Sequence, residues 1–258
     1  MFNVIKNGIA LGIACALIAL ADYATAGSLL FVNGSTTTIL NCGSATILDN
    51  LGAESRVVIF RASNLDPAAT RAMLHGGGGG CAQALTITSA STGSLDYSRG
   101  FSVTTGTANA TWANFVSIGT NEWICAASTF DGTNAPKLYA GEVGARILEP
   151  AAYTTQTAPS GTACDDSAND EKIGGISGSA FGFPGNIAFA GIWNRALSQE
   201  EVQAICNSPH KVSGGSNVLF TYPGFTGGAT EPDFSGYNHT CTRTAATLDI
   251  GAPVKMKF

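Results

Sequence analysis

The residues of this chain best suited to chemistry are aromatics and oxygen donors set beside turns. Tyr97, Trp112, Tyr153 and Tyr237 each stand near turn-forming residues. An aromatic face held there can stack on a sugar ring while Asn and Asp fix the hydroxyls, so these four are the candidate ligand-binding residues. Interior packing is the alternative for each. Asp131, Asn134, Asp165, Asp166 and Asp170 offer hard oxygen ligands on loops, the donor type that calcium takes, and calcium is the cofactor they suggest. Asp131 also opens the turn Asp131-Gly132-Thr133-Asn134, where its carboxylate can instead bond its own backbone. Asp165 and Asp166 also read as solvated surface charge.

Nucleophilic catalysis has little to stand on. The three histidines, His75, His210 and His239, sit in loop-like contexts, and no Gly-x-Ser-x-Gly elbow precedes a helix. His75 runs into Gly76 through Gly80, but no Lys-Ser/Thr follows and no parallel βα pattern surrounds it. A mobile loop fits that run better than a phosphate cradle. No CxxC or Cys/His cluster has zinc spacing.

The elements that must position these residues are mostly strands. Asn33-Gly34 marks a turn between Ser28–Val32 and Thr36–Leu40. Arg56–Ala62 is a β-branched run of the core type. Strands are expected at 84–89, 100–105, 111–118 and 122–130, then at 137–141 after the Asp131 turn, and at 217–222. Residues 159–170 read as a polar surface loop. From Pro184-Gly185 the chain enters an apolar strand with Ile187, Phe189, Ile192 and Trp193, then a helix start at Ser198. Ser198 is a good N-cap, Glu201 completes a capping box, and Leu197 with Val202 can close a hydrophobic staple. Trp123 and Trp193 lie in apolar strands and are expected in the core, and Arg195 reads as a structural ion-pair partner. On the order of a dozen short strands without repeats or a long linker imply two antiparallel sheets packed face to face, with one short capped helix near 198–206.

Composition agrees. The 258 residues include 32 Gly and only 12% charged residues, which suits short strands and turns. The net charge of −5 argues against nucleic acid, since phosphate binding needs a basic face. Residues 1–26 carry Lys6, an apolar run from Gly8 to Ala21, and Ala24-Thr25-Ala26. This is a secretory signal pattern with cleavage expected after Ala26. The run is shorter than the ~20 residues that span a bilayer. An uncleaved hydrophobic segment is the alternative, and it is the only membrane contact the sequence suggests. Cys15 sits within that run. Six cysteines remain: Cys42, Cys81, Cys125, Cys164, Cys206 and Cys241. An even number in an exported chain permits disulfides, but spacing does not choose the pairing, and Cys125 reads as well as a buried thiol.

Several segments resemble the concanavalin-like, laminin-G-like jelly-roll superfamily in its bacterial and phage-associated form. They are Ser28 through Thr36, Trp123 through Thr133 with Lys137 through Gly141, Gly185 through Ser198 with Glu201, and Glu231 through His239. The likeness covers nearly all of the chain after residue 27 and implies one jelly-roll domain over 27–258. It makes Trp193, Arg195, Ser198 and Glu201 a structural signature. It implies a secreted or cell-surface binding module, with glycan binding or adhesion as the leading function and a glycan or surface protein as partner. The alternative is a structural or decoration subunit of a phage virion or extracellular assembly, with self-assembly. Hydrolases of this fold carry Glu-x-Asp-x-x-Glu on one strand. This chain has Glu231-Pro232-Asp233-Phe234-Ser235-Gly236, which lacks the final Glu and contains Pro, so a non-catalytic role is expected.

Overall fold

The computed structural model describes residues 23–257 except 26, 33–34, 36, 66–68, 79–80, 89–92, 102–105, 116–120, 177, 210–215 and 250–254. Residues 1–22 of the expected signal segment 1–26, the Asn33-Gly34 pair and His210 lie outside the described residues. In chain order the strands begin as β1 (Tyr23–Thr25), β2 (Ser28–Phe31), β3 (Ile39–Asn41), β4 (Glu54–Ala62), β5 (Arg71–Gly76) and β6 (Gln83–Thr88). Next come β7 (Ser94–Phe101), β8 (Gly106–Ala113), β9 (Ile124–Phe130), β10 (Lys137–Glu142), β11 (Thr155–Thr157) and β12 (Lys172–Ile173). After β13 (Gly185–Trp193) and α1 (Gln199–Asn207) the chain ends in β14 (Asn217–Thr221), β15 (Thr230–Pro232), β16 (Thr240–Thr244), β17 (Thr247–Asp249) and β18 (Lys255–Lys257).

All pairings between these strands are antiparallel. One seven-stranded sheet runs β10-β9-β4-β13-β2-β17, with β14 also on β13, and a nine-stranded sheet runs β11-β8-β7-β6-β5-β12-β3-β16-β15. β1 and β18 form a separate ribbon. The expected all-β sandwich is therefore present. The expected β9–β10 hairpin is present too, with Lys137 opposite Thr129. The strands on either side of Asn33-Gly34 differ from expectation: β2 joins one sheet and β3 the other, so the segment crosses between layers.

The seven-stranded sheet is buried on both faces, which is why β4 and β13 read as continuous apolar runs. Val58 and Phe60 of β4 enter the core between the sheets, while Val57 and Ile59 face a second cluster on the outer side. In β13 strict alternation would put Ile187 and Phe189 on one face. A register shift between them sends Ile187 to the inner core and Phe189 to the outer cluster. The outer cluster is roofed by α1 through Val202, Ile205 and Cys206, with Trp193 fully buried and edge-on to Phe220.

Helix α1 starts as the sequence predicts. The Ser198 hydroxyl accepts from the Glu201 N–H, and the Glu201 carboxylate accepts from the Ser198 N–H. Arg195 donates to both oxygens of Glu201, at 2.8 and 2.6 Å.

Three disulfides close the sandwich: Cys42–Cys241, Cys81–Cys164 and Cys125–Cys206. Cys125 is thus a bridge from β9 to α1 and not a lone buried thiol. At Gly174 the backbone takes φ +81°, and an added Cβ would stand 2.1 Å from the Phe31 ring, so only glycine fits.

Candidate functional site

The surface features that could hold a ligand gather round edge strand β10 and the chain that follows it. At the start, Asp131 receives the N–H groups of Thr133 and Asn134 on Oδ1, and its Oδ2 accepts from Asn134 Nδ2. These donors hold its carboxyl at about 2, far below the usual range. The turn is self-contained. Beyond it, Lys137 and Tyr139 point to the outer face while Leu138 and Ala140 enter the core.

The chain then doubles back as a strap, Ala145–Glu149, fastened on two sides. Leu148 and Ala140 exchange both backbone hydrogen bonds, at 2.9 and 3.0 Å. Two glutamines one turn apart on α1 grip the other side: Gln199 donates to Ile147 O, and Gln203 accepts from Ile147 N and donates to Ala145 O. Glu149 takes hydrogen bonds from Lys137 at 3.3 Å and Tyr153 at 3.1 Å. The strap is built to stay in place.

Three shallow depressions surround it. The first, of about 500 Å³, lies between the β9–β10 turn and the start of α1, lined by Asn134, Lys137, Tyr139, Glu149 and Gln199 among others. The second, of about 250 Å³, uses Gln199 again with Ile147, Gln203 and Arg146. The third, of about 270 Å³, shares Arg146 and sets half-buried Trp112 beside Leu148, with Glu142 at the rim. Leu148 is 48% exposed, one of few large apolar side chains left in solvent. Trp112 continues the inward face of Ala108 and Ala110 at the open edge of the sandwich, braced edge-on by Phe115. Arg146 has no ion pair or side-chain hydrogen bond among the described residues, so its guanidinium is available.

The structure distributes the aromatic candidates unequally. Tyr97 is a correction: it is 1% exposed, between the sheets, with its hydroxyl donated to Glu54. No sugar can reach it. The inward face of β7 also carries Arg99, so the alternation Leu95, Tyr97, Arg99, Phe101 is a core-facing pattern with a charge inside it. That charge belongs to a buried network in which Arg56 pairs with Glu54 at 3.3 Å and Glu171 at 2.7 Å, and Arg99 stands 3.7 Å from Glu54. Tyr153 is half-buried, with its hydroxyl tied to Leu138 N and Glu149. Tyr237 is 50% exposed and stacked on His239, away from the strap in the loop between β15 and β16. Of the four, Trp112 and Tyr153 come to the same edge.

The calcium candidates are engaged elsewhere. Asp165 accepts from Asn50 and Ser167, Asp166 from the Asn50 N–H, and Asp170 from Asn41. Among the described residues no three His, Cys, Asp or Glu side chains stand together at metal-holding spacing. The carboxylates of the hydrolase-like stretch are likewise committed. Glu231 is fully buried and accepts from the Gly224 and Thr226 N–H groups, while Asp233 accepts from those of Phe220, Ser235 and His239. His75 is not in a loop but on β5, 8% exposed.

Sequence reasoning missed Glu142, Arg146, Leu148 and Gln199. Each is unremarkable in sequence, and only the return of the strap against β10 and α1 groups them. The pattern Gln199-x-x-x-Gln203 on one helix face was the one signal available.

The layered order, the two sheets and the helix on the outer face define a concanavalin-like jelly roll. No known protein family and no curated protein matches the sequence. Solved structures do match in fold. A Bacteroides ovatus protein described as carbohydrate binding superposes with a TM-score of 0.57 at 16% identity, covering 89% of this chain and 61% of that one. This chain therefore spans about three fifths of that protein's length. A heptameric SAP-like pentraxin from Limulus polyphemus gives 0.55 at 10% identity, covering 88% and 95%.

Proposed function

We propose that this protein is a non-catalytic glycan-binding module working outside the cell, with its ligand seated at the strap beside Trp112. The observation that carries this reading is the third depression. A tryptophan face and the exposed Leu148 supply apolar surface for a sugar's C–H face, and Arg146 and Glu142 stand at the rim for its hydroxyls. The carboxylates of the stretch that partly resembles the hydrolase pattern, Glu231 and Asp233, are spent on backbone N–H groups, which is in keeping with binding without cleavage. Three disulfides favour an oxidising compartment. Among the described residues no helix is long and apolar enough to cross a membrane. The fold of the Bacteroides ovatus protein is in keeping with the same use. A glycan array probed with the oxidised protein tests the reading: discrete hits are expected, and an array without any hit contradicts it.

A further inference from the structure

The three depressions adjoin one another along the strap. The first and second share Gln199 as a common wall, and the second and third share Arg146. Their linings thus succeed one another from Asn134, past the first turn of α1, to Trp112, a path here termed the strap furrow. Each part is open towards solvent. The strap that forms its floor is fixed by the Gln199 and Gln203 hydrogen bonds and by the Leu148–Ala140 pair. A ligand binding there meets a preformed surface and loses little to protein ordering.

Polar groups without full partners recur along this path. Asn134 and Gln199 each spend their amide N–H on the protein, leaving side-chain carbonyl oxygens to accept. Arg146 offers donors at the next step. This spacing of donor and acceptor groups along an open channel suits a chain with repeated hydroxyls more than one ring. A pit that recognised a chain end would need a closed wall around the last ring, and these depressions have none.

We infer that the strap furrow binds the internal segment of a linear oligosaccharide or polysaccharide, with Trp112 as the anchoring subsite and Arg146, Gln199 and Asn134 as further subsites. This rests on the glycan-binding reading above and adds the length and mode of the ligand.

The test is the affinity of the oxidised protein for cello-, xylo- and malto-oligosaccharide ladders from disaccharide to hexasaccharide, and for the ladder of the strongest array hit. The inference expects affinity to rise at least about tenfold with length before levelling. Arg146→Ala and Asn134→Ala should each flatten that rise by weakening the longest oligomers and sparing the shortest. The exposed Arg146 can be removed without change in melting temperature, while Asn134→Ala, which also loses the hydrogen bond to Asp131, is compared at a temperature where its melting curve shows it folded. A disaccharide that binds as tightly as its hexasaccharide overturns the extended site while leaving glycan binding intact. A length effect untouched by both substitutions overturns the furrow as its location. Absence of binding by every oligomer and every array glycan overturns both readings.

Discussion

At the scale of single residues, the contrast between Tyr97 and Trp112 shows how neighbours decide the use of an aromatic side chain. Both lie on adjacent strands of one sheet and both point inward. Tyr97 faces the middle of the seven-stranded sheet and gives its hydroxyl to Glu54, whereas Trp112 reaches past the edge, where the roof ends. The buried ion network gives the first prediction. Arg56→Ala would leave Glu171 without its cation and Glu54 with Arg99 alone, and is expected to cost about 3–5 kcal/mol, read by chemical denaturation. A loss below about 1 kcal/mol would mean that the carboxylates find other partners. His75 gives the second. Burial, followed by the charges of Arg56 and Lys172, pushes its pKa down to about 4. The unfolded chain takes up that proton near pH ~6.5, so folded stability is full above this value and falls between about 6.5 and 4. The melting temperature of His75→Asn should decline less steeply over that window than that of the wild type; parallel curves would contradict the assignment.

At the scale of elements, what the sequence makes legible is what local chemistry decides. Ser198 and Glu201 announce α1 because a cap needs only its own neighbours, and the Asp131 turn announces the β9–β10 hairpin for the same reason. Ser198→Ala should cost ~1 kcal/mol in chemical denaturation. The Glu201 carboxyl sits at about 2, lowered by the Arg195 guanidinium and then by the Ser198 N–H. Its support of the helix is therefore present above the unfolded value and lost as pH falls towards 2. Glu201→Gln should flatten the acid side of the stability curve, and an unchanged acid limb would contradict this account. Elements whose faces depend on distant partners are harder to read. The strand expected at 100–105 lies mostly outside the described residues, and β7 at Ser94–Phe101 is not among the expected strands, because Arg99 interrupts the apolar alternation and its partner Glu54 is remote in sequence. β5 carries His75 and Gly76 at its end, so the glycine run conceals a strand. The strap is the extreme case, since no residue within 145–149 signals that α1 will grip it.

At the scale of the whole molecule, two sheets, an outer helix and three bridges form one sandwich whose inner and outer clusters share the seven-stranded sheet. The Cys125–Cys206 bridge spans 81 residues and pins α1 to that sheet. Replacing both cysteines with Ala should lower stability by roughly 4 kcal/mol through the loop entropy restored to the unfolded chain. It should also weaken glycan affinity, because α1 supplies the glutamines that fix the strap. Full affinity in that variant, at a temperature where it remains folded, would separate the strap from the helix. The pairing of the six cysteines was not legible beforehand, as spacing carries no information on which strands meet. The sandwich was, because turn chemistry and two-sided apolar runs are local. The central claim is that Trp112 anchors a glycan, and calorimetric titration of the strongest array hit into wild type and Trp112→Ala tests it most directly. With both proteins shown folded by their melting curves, the account predicts a dissociation constant about 10–100-fold weaker for the variant, and an unchanged constant would contradict it.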